Sequence, residues 1–216
     1  MLTYYHKIDA PFKRSEDGTK KLLVGQFRDE TVEYLKDAQW CLTEKVDGTN
    51  IIVYWDGHNV TIHGRTPKSD IPKFLMEYLE KTFLTPEVEE LFEQKFGEKE
   101  VHLYGEGYGD KIQEVGSKYR DDNAFILFDV MVENTWLSRE NVDDIAKAFG
   151  VESVPVIGYC TLMDAVEIVK DHYKSRISKE ELPMEGFVCR PAIELKDKCG
   201  HRVIVKVKVH DFCENV

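Results

Sequence analysis

The segment Phe125-Ile-Leu-Phe-Asp-Val-Met-Val132 constrains the fold more than any other stretch of this chain. All but one of its residues are apolar, and the run is too short for a membrane span. Such a run is expected as a strand buried on both faces. Strand-like and helix-like stretches are mixed along the rest of the chain. Ile51 to Trp55 is β-branched and aromatic, Asp56-Gly57-His58-Asn59 is a turn signal, and Val60 to His63 resumes a strand, so a hairpin is predicted. From Asp70 to Phe96 the apolar period becomes helical, with Thr85-Pro86 opening a second helix as N-cap and first-turn proline. Ser138 to Phe149 is predicted as a helix stopping at Gly150. Thr161 to Tyr173 is another, with Ala165, Ile168, Val169 and His172 on one side, and Ser178 with Glu181 forms a short capping box. Late strands are predicted at Phe187-Val188 and Val203 to Val209. No repeat, low-complexity tract or linker interrupts the chain, so residues 1–216 are expected to form a single α+β domain of hairpin-connected, mainly antiparallel sheets.

Composition limits the function classes. The 216 residues, 42% hydrophobic and 32% charged, can bury a sizeable core. No apolar run reaches the roughly 18 residues of a membrane span, and the start MLTYYHKIDAPFKR lacks the apolar centre of a signal peptide. The five cysteines (Cys41, Cys160, Cys189, Cys199 and Cys213) are scattered without a Cys-x-x-Cys pair. That argues for reduced thiols in a cytoplasm and against zinc or a disulfide framework. A net charge of -11 weighs against a nucleic-acid partner when taken alone.

The residues able to carry chemistry lie in separate stretches. Lys45, in Thr43-Glu-Lys-Val-Asp-Gly-Thr-Asn50, stands between apolar segments, and Asp47-Gly48 turns the chain directly after it. Most lysines at such a place are solvated. One at the mouth of a core loses its proton more easily and becomes a nucleophilic amine. Glu44 and Asn50 flank it. Antiparallel pairing of the hairpin would return Arg65 opposite Asn50, at the lysine's end, where an arginine suits a phosphate. Glu106 sits among the glycines of Leu103-Tyr-Gly-Glu-Gly-Tyr-Gly109, where backbone can approach a ligand. Asp129, inside the apolar strand, requires an arginine, a lysine, a backbone N–H cluster or a metal as partner, and Phe128 is expected on the opposite face. Glu185-Gly186 precedes a late strand. In Val203-Ile-Val-Lys-Val-Lys-Val209 the odd-numbered valines share one face and Ile204, Lys206 and Lys208 the other, with the two lysines about 7 Å apart at a rise of roughly 3.3 Å per residue. Two such cations are ordinarily a wet strand face, but they also suit a polyphosphate.

Taken in order, Lys45 with Asp47-Gly48, Arg65, Glu106, Phe128-Asp129, Glu185-Gly186 and Lys206-x-Lys208 resemble the covalent nucleotidyltransferases: ATP-dependent DNA ligases, RNA ligases and capping enzymes. The stretches TEKVDGTN, YGEGYG, FILFDV, EGFVCRP and IVKVK look most like the RNA ligases grouped with the second phage RNA ligase and the kinetoplastid editing ligases. The resemblance runs from about Trp40 to Lys208. It implies a nucleotidyltransferase fold and ATP-dependent RNA joining of 5′-phosphate and 3′-hydroxyl ends through a lysyl-AMP. It assigns Lys45 as nucleophile, with Lys206 and Lys208 on the α-phosphate. Phe128 would stack on adenine, Arg65 and Glu106 would hold the ribose and nearby phosphate, and Asp129 would orient the site from behind. Asn50 would organise the phosphate or metal site, and Glu185 would take Mg2+ or Mn2+. The partners implied are RNA strand ends, at a nicked duplex or a tRNA-like break, with room for a helper protein. A membrane is not among them, and a monomer is expected. No C-terminal OB or helical domain is expected within these residues. A minimal DNA ligase and a capping-type guanylyltransferase remain open alternatives. Basic clusters at Lys13-Arg14, Lys20-Lys21, Lys118 to Arg120, Lys174 to Arg176 and Lys196 to Lys208 could form a rim for the strand end despite the acidic total.

Overall fold

The computed structural model describes residues 1–212, so Cys213 lies outside the described residues. In chain order the elements are β1 (Phe12–Arg14), β2 (Leu22–Phe27), α1 (Glu30–Tyr34), β3 (Trp40–Glu44), β4 (Thr49–Trp55), β5 (Val60–Gly64), α2 (Lys73–Phe83), α3 (Pro86–Phe96) and β6 (Val101–Gly109). There follow α4 (Gly116–Tyr119), β7 (Asn123–Val132), β8 (Thr135–Trp136), α5 (Arg139–Ala148), β9 (Glu152–Ser153), β10 (Val156–Cys160), α6 (Leu162–Lys170), β11 (Gly186–Pro191), β12 (Val205–Lys208) and α7 (Val209–Phe212). This is the expected α+β fold, with antiparallel pairing throughout except for the short β7–β9 contact and one isolated bridge. The chain divides into two compact units.

The first unit contains Met1–His6 and Asp47–Val154. Its sheet runs β5-β4-β6-β7-β8, with β9 pairing to β7. The predicted hairpin is present: Asp56 Oδ1 accepts the backbone N–H of His58 and Asn59 at 2.8 and 2.7 Å, and Gly57 takes the positive φ that the turn needs. One face of the sheet, including Ile51, Val53, Leu103, Leu127 and Val130, packs under apolar residues of α2, α3 and α5. The other face presents Ile52, Tyr54, Tyr104 and Met131, and Leu2, Tyr4 and Tyr5 pack against it. The long apolar strand is therefore covered on both faces, but the second cover is the N-terminal segment rather than a helix. Thr85 caps α3 and Ser138 caps α5 as expected. Helix α2 begins at Lys73 rather than Asp70, because Pro72 holds Ile71 away from helical geometry.

The second unit contains Lys7–Val46 with the chain from Pro155 on. Its main sheet runs β10-β3-β11-β12, beside a β1-β2 hairpin. Helix α6 covers that sheet, with Leu162, Ala165, Val166 and Val169 against a core that includes Trp40, Leu42, Phe187, Val205 and Val207. Thr161 and Asp164 form a capping box. The helix ends at Lys170, short of the expected Tyr173, and His172 is exposed with φ +51°. The capping box expected at Ser178 and Glu181 opens no helix: Ser178 donates to the Glu180 carbonyl and Glu181 pairs with Lys174. This segment instead returns on itself, with Ser175 N–H bonded to the Leu182 carbonyl at 2.8 Å. The described cysteines are free thiols.

Candidate active site

In the second unit, three neighbouring strands bring the candidate nucleophile to its companions. Lys45 follows the last residue of β3, and its N–H is bonded to the Gly186 carbonyl at 2.9 Å. Glu185 stands just before β11, and Lys208 ends β12, where it pairs with Gly186 in register. A side chain at Gly186 is excluded, because a Cβ there would lie 2.1 Å from the Val207 carbonyl oxygen. The side chains then converge. Lys45 Nζ lies 2.5 Å from Glu185 Oε2, and Lys208 Nζ lies 2.6 Å from Glu185 Oε1. One carboxylate thus bridges two ammonium groups. All three side chains keep about a fifth of their surface open, at 23%, 18% and 23% for Lys45, Glu185 and Lys208. Burial alone would push the Glu185 carboxyl up, but the two lysine charges and their hydrogen bonds win and hold it below the usual carboxylate range.

Lys206 lies two residues back along β12, and its backbone N–H donates to the Asp9 carbonyl at 3.0 Å. The predicted alternation holds from Val205 on: Val205, Val207 and Val209 are buried and Lys206 and Lys208 are part-exposed, but Ile204, expected on the lysine face, is buried like Val203. The strand itself is shorter than predicted, since Val209 already begins α7. Glu44 is buried and turns to other partners, accepting Ser175 Oγ–H at 2.5 Å and Arg176 N–H at 2.8 Å. Burial raises its carboxyl against the pull of these bonds. Ser175 and Arg176, in the loop after α6, are thereby tied to the end of β3.

In the first unit, Asn50 on β4 pairs in register with Glu106 on β6. Asn50 Oδ1 is buried without a hydrogen-bond partner. Ile51 pairs with Gly64, so Arg65 follows one step beyond β5 as predicted, and it is exposed. Core packing also requires the glycines around Glu106. A Cβ at Gly105 would sit 2.3 Å from the Phe125 ring, and one at Gly107 would sit 2.5 Å from a Leu75 methyl. They are glycine because core side chains occupy the space.

Phe128 and Asp129 correct an expectation. Tyr104 pairs with Asp129 and Gly105 with Leu127, which leaves Phe128 as the extra residue of a β-bulge. The extra residue breaks the alternation, so both side chains meet the same neighbour. Tyr5 packs edge-on to the Phe128 ring at 5.0 Å and donates its hydroxyl to Asp129 Oδ2 at 2.8 Å. The buried carboxylate therefore has a tyrosine hydroxyl as a partner, outside the set foreseen from sequence. Tyr5 had no motif to mark it; the aromatic run Tyr4-Tyr5-His6 was its only signal.

Several basic residues proposed for a rim are partnered by carboxylates. Arg14 pairs with Asp211, Arg120 with Asp122, Lys174 with Glu181 and Arg202 with Glu194.

The family described as RNA ligase matches the chain over residues 38–208. The chain belongs to the RNA ligase family. None of the curated proteins matches it. Among solved structures, this RNA ligase family member is similar to Naegleria gruberi RNA ligase with PPi, at TM-score 0.61 and 19% identity over 82% of this chain and 51% of that one. Point mutants of the same ligase, one with ATP and Mn and one with AMP and Mn, both give TM-score 0.61 and 17% identity over 82% of this chain and 51% and 52% of theirs. At that identity the likeness establishes the fold. The chain spans about half the length of these ligases.

Proposed function

We propose that the protein is an ATP-dependent RNA ligase that joins 5′-phosphate to 3′-hydroxyl ends through a lysyl-AMP. The observation that carries this reading is the Lys45–Glu185–Lys208 arrangement: an amine and a fixed cation on either side of one carboxylate. The neutral Lys45 amine attacks the α-phosphorus of ATP, the bond to pyrophosphate breaks, and a phosphoramidate links lysine to AMP. Lys208, with Lys206 on the same strand, meets the charge that grows on the phosphate oxygens, and little reorganisation is needed because the strands already hold it. The adenylate then passes to a 5′-phosphate end, and a 3′-hydroxyl displaces AMP.

Residues of both units are assigned to this one reaction, so that 1–216 work as one nucleotidyltransferase module. Phe128 supplies a half-buried ring for adenine, steadied by Tyr5. Arg65 and Glu106 take the ribose and nearby phosphate. Asn50 offers its unpartnered buried oxygen to the phosphate or metal site. Asp129 fixes Tyr5 behind Phe128. Glu44 acts indirectly, through Ser175 and Arg176. The donor set suits Mg2+ or Mn2+, since such ions take one or two carboxylates and fill the remaining positions with water and phosphate oxygens. Glu185 would hold the ion, which would supply added positive charge over the phosphates.

RNA ends are the substrate that family membership favours. With many cations already paired, binding is expected to be weak and sensitive to salt, which leaves a place for a helper protein. The free thiols fit a cytoplasmic location. Labelled ATP with Mg2+, followed by turnover on nicked RNA and nicked DNA duplexes, tests the reading. Label on the protein and faster sealing of RNA are expected. Faster sealing of DNA would make it a minimal DNA ligase, and label from GTP alone would make it a guanylyltransferase.

A further inference from the structure

A second constellation lies in the 196–202 loop of the second unit. The bridge Lys196↔Arg202 closes the base of this loop. Asp197 N–H bonds to the His201 carbonyl at 2.7 Å, and Gly200 turns the chain with φ +83°. Asp197 Oδ1 accepts the N–H groups of Cys199 and His201 at 2.8 and 2.9 Å, so the loop is folded around its own aspartate. The result brings a carboxylate oxygen, a thiol sulfur and an imidazole nitrogen within 4.8 Å of one another. Among the described residues this is the one such group of three metal-ligating side chains. A cavity of about 500 Å³ adjoins it, lined by Asp197 and Cys199 together with acidic Asp29, Glu30 and Glu33 and basic Lys13, Arg28 and Lys198.

We propose that Asp197, Cys199 and His201 form a binding site for a divalent transition metal of the zinc class. Asp197 Oδ2 and His201 Nδ1 stand in hydrogen-bond contact at 3.3 Å, a contact that a bound ion would replace. Two ligands bound at 2.0–2.1 Å to a tetrahedral ion are also separated by roughly 3.3 Å. Oδ1 is engaged by the backbone, which leaves Oδ2 as the coordinating oxygen. A thiolate and an imidazole select zinc-class ions, whereas Mg2+ requires oxygen ligands alone, so this site is chemically distinct from Glu185. On binding, the Cys199 thiol gives its proton to solvent and the sulfur takes the metal. Three protein ligands leave the fourth position to water from the cavity. A count of cysteines could not reveal this site, because Asp-x-Cys-x-His uses one residue of each kind.

The test uses the whole protein, freed of metal with a chelator, kept reduced, and titrated with Co2+ as an optical substitute for zinc. Binding of one ion per chain is expected, with a thiolate-to-cobalt charge-transfer absorption that Zn2+ displaces. Cys199→Ser should abolish that absorption, and His201→Ala should weaken Co2+ binding at least ~10-fold. Circular dichroism confirms that each variant is folded; the exposed loop makes this the expected result. No charge-transfer absorption in the wild type, or the same absorption in Cys199→Ser, overturns the proposal.

Discussion

Lys208→Ala separates a functional cation from a solvated one. In the structure Lys208 Nζ is 2.6 Å from Glu185, whose other oxygen is held by Lys45. Full Coulomb attraction for a close pair at intermediate polarity is about 4 kcal/mol. Partial exposure and the remaining Lys45 reduce the net loss of stability to roughly 1–2 kcal/mol, or a Tm lower by roughly 3–6 °C. The kinetic loss should be larger. A fixed donor removed from a developing phosphoryl charge costs about 2.7 kcal/mol or more, which is at least ~100-fold in adenylylation. Lys206→Ala should show a similar kinetic loss. Val207→Thr is the opposite-face control: Val207 is buried, so the hydroxyl should cost about 1–3 kcal/mol while activity per folded molecule stays near wild type. The assay is single-turnover adenylylation with labelled ATP, alongside thermal melts of all three variants. Near wild-type labelling by both lysine variants would refute the reasoning and leave that face an ordinary wet strand.

Three other outcomes follow from the structure. Burial holds His102 down to about 4, from an ordinary 6.5. Its contribution to stability is therefore present above pH 6.5 and is lost as pH falls towards 4, by up to roughly 3 kcal/mol; chemical denaturation at several pH values should show this slope, and His102→Gln should flatten it. Gly186→Ala forces a Cβ against the Val207 carbonyl, so it should lower Tm and slow adenylylation together, whereas the same change at exposed Gly150, where no atom lies within 4 Å, should cost little beyond its positive φ. Tyr5→Phe removes the hydroxyl donated to Asp129; a loss of about 1–3 kcal/mol is expected by denaturation, with a raised KM for ATP, and an unchanged Tm would contradict the packing described.

The parts of this fold that were legible in the sequence are those decided by near neighbours. The Asp56–Asn59 turn, the Thr85-Pro86 and Ser138 caps, the stop at Gly150 and the alternation around Lys206 and Lys208 each depend on residues within a few positions. The parts that were not legible depend on distant ones. The bulge at Phe128 exists only in register with Tyr104 and Gly105, and no pattern inside Phe125 to Val132 reveals it. The loop after α6 is tied to Glu44, whose carboxylate takes Ser175 from 131 residues away. Among the site residues, Lys45, Glu185 and Lys208 could be ordered along the chain, but their shared carboxylate required β3, β11 and β12 to be adjacent. Tyr5 was invisible because its partners lie more than a hundred residues on.

The central claim is that Lys45 is the residue that becomes adenylylated. Intact-mass measurement after incubation with ATP and Mg2+, followed by peptide mapping under conditions that preserve the phosphoramidate, tests it directly. A single added AMP on the peptide containing Lys45, absent from Lys45→Ala, is the predicted result. No adduct in the wild-type protein, or an adduct of the same mass that survives in Lys45→Ala, would contradict it.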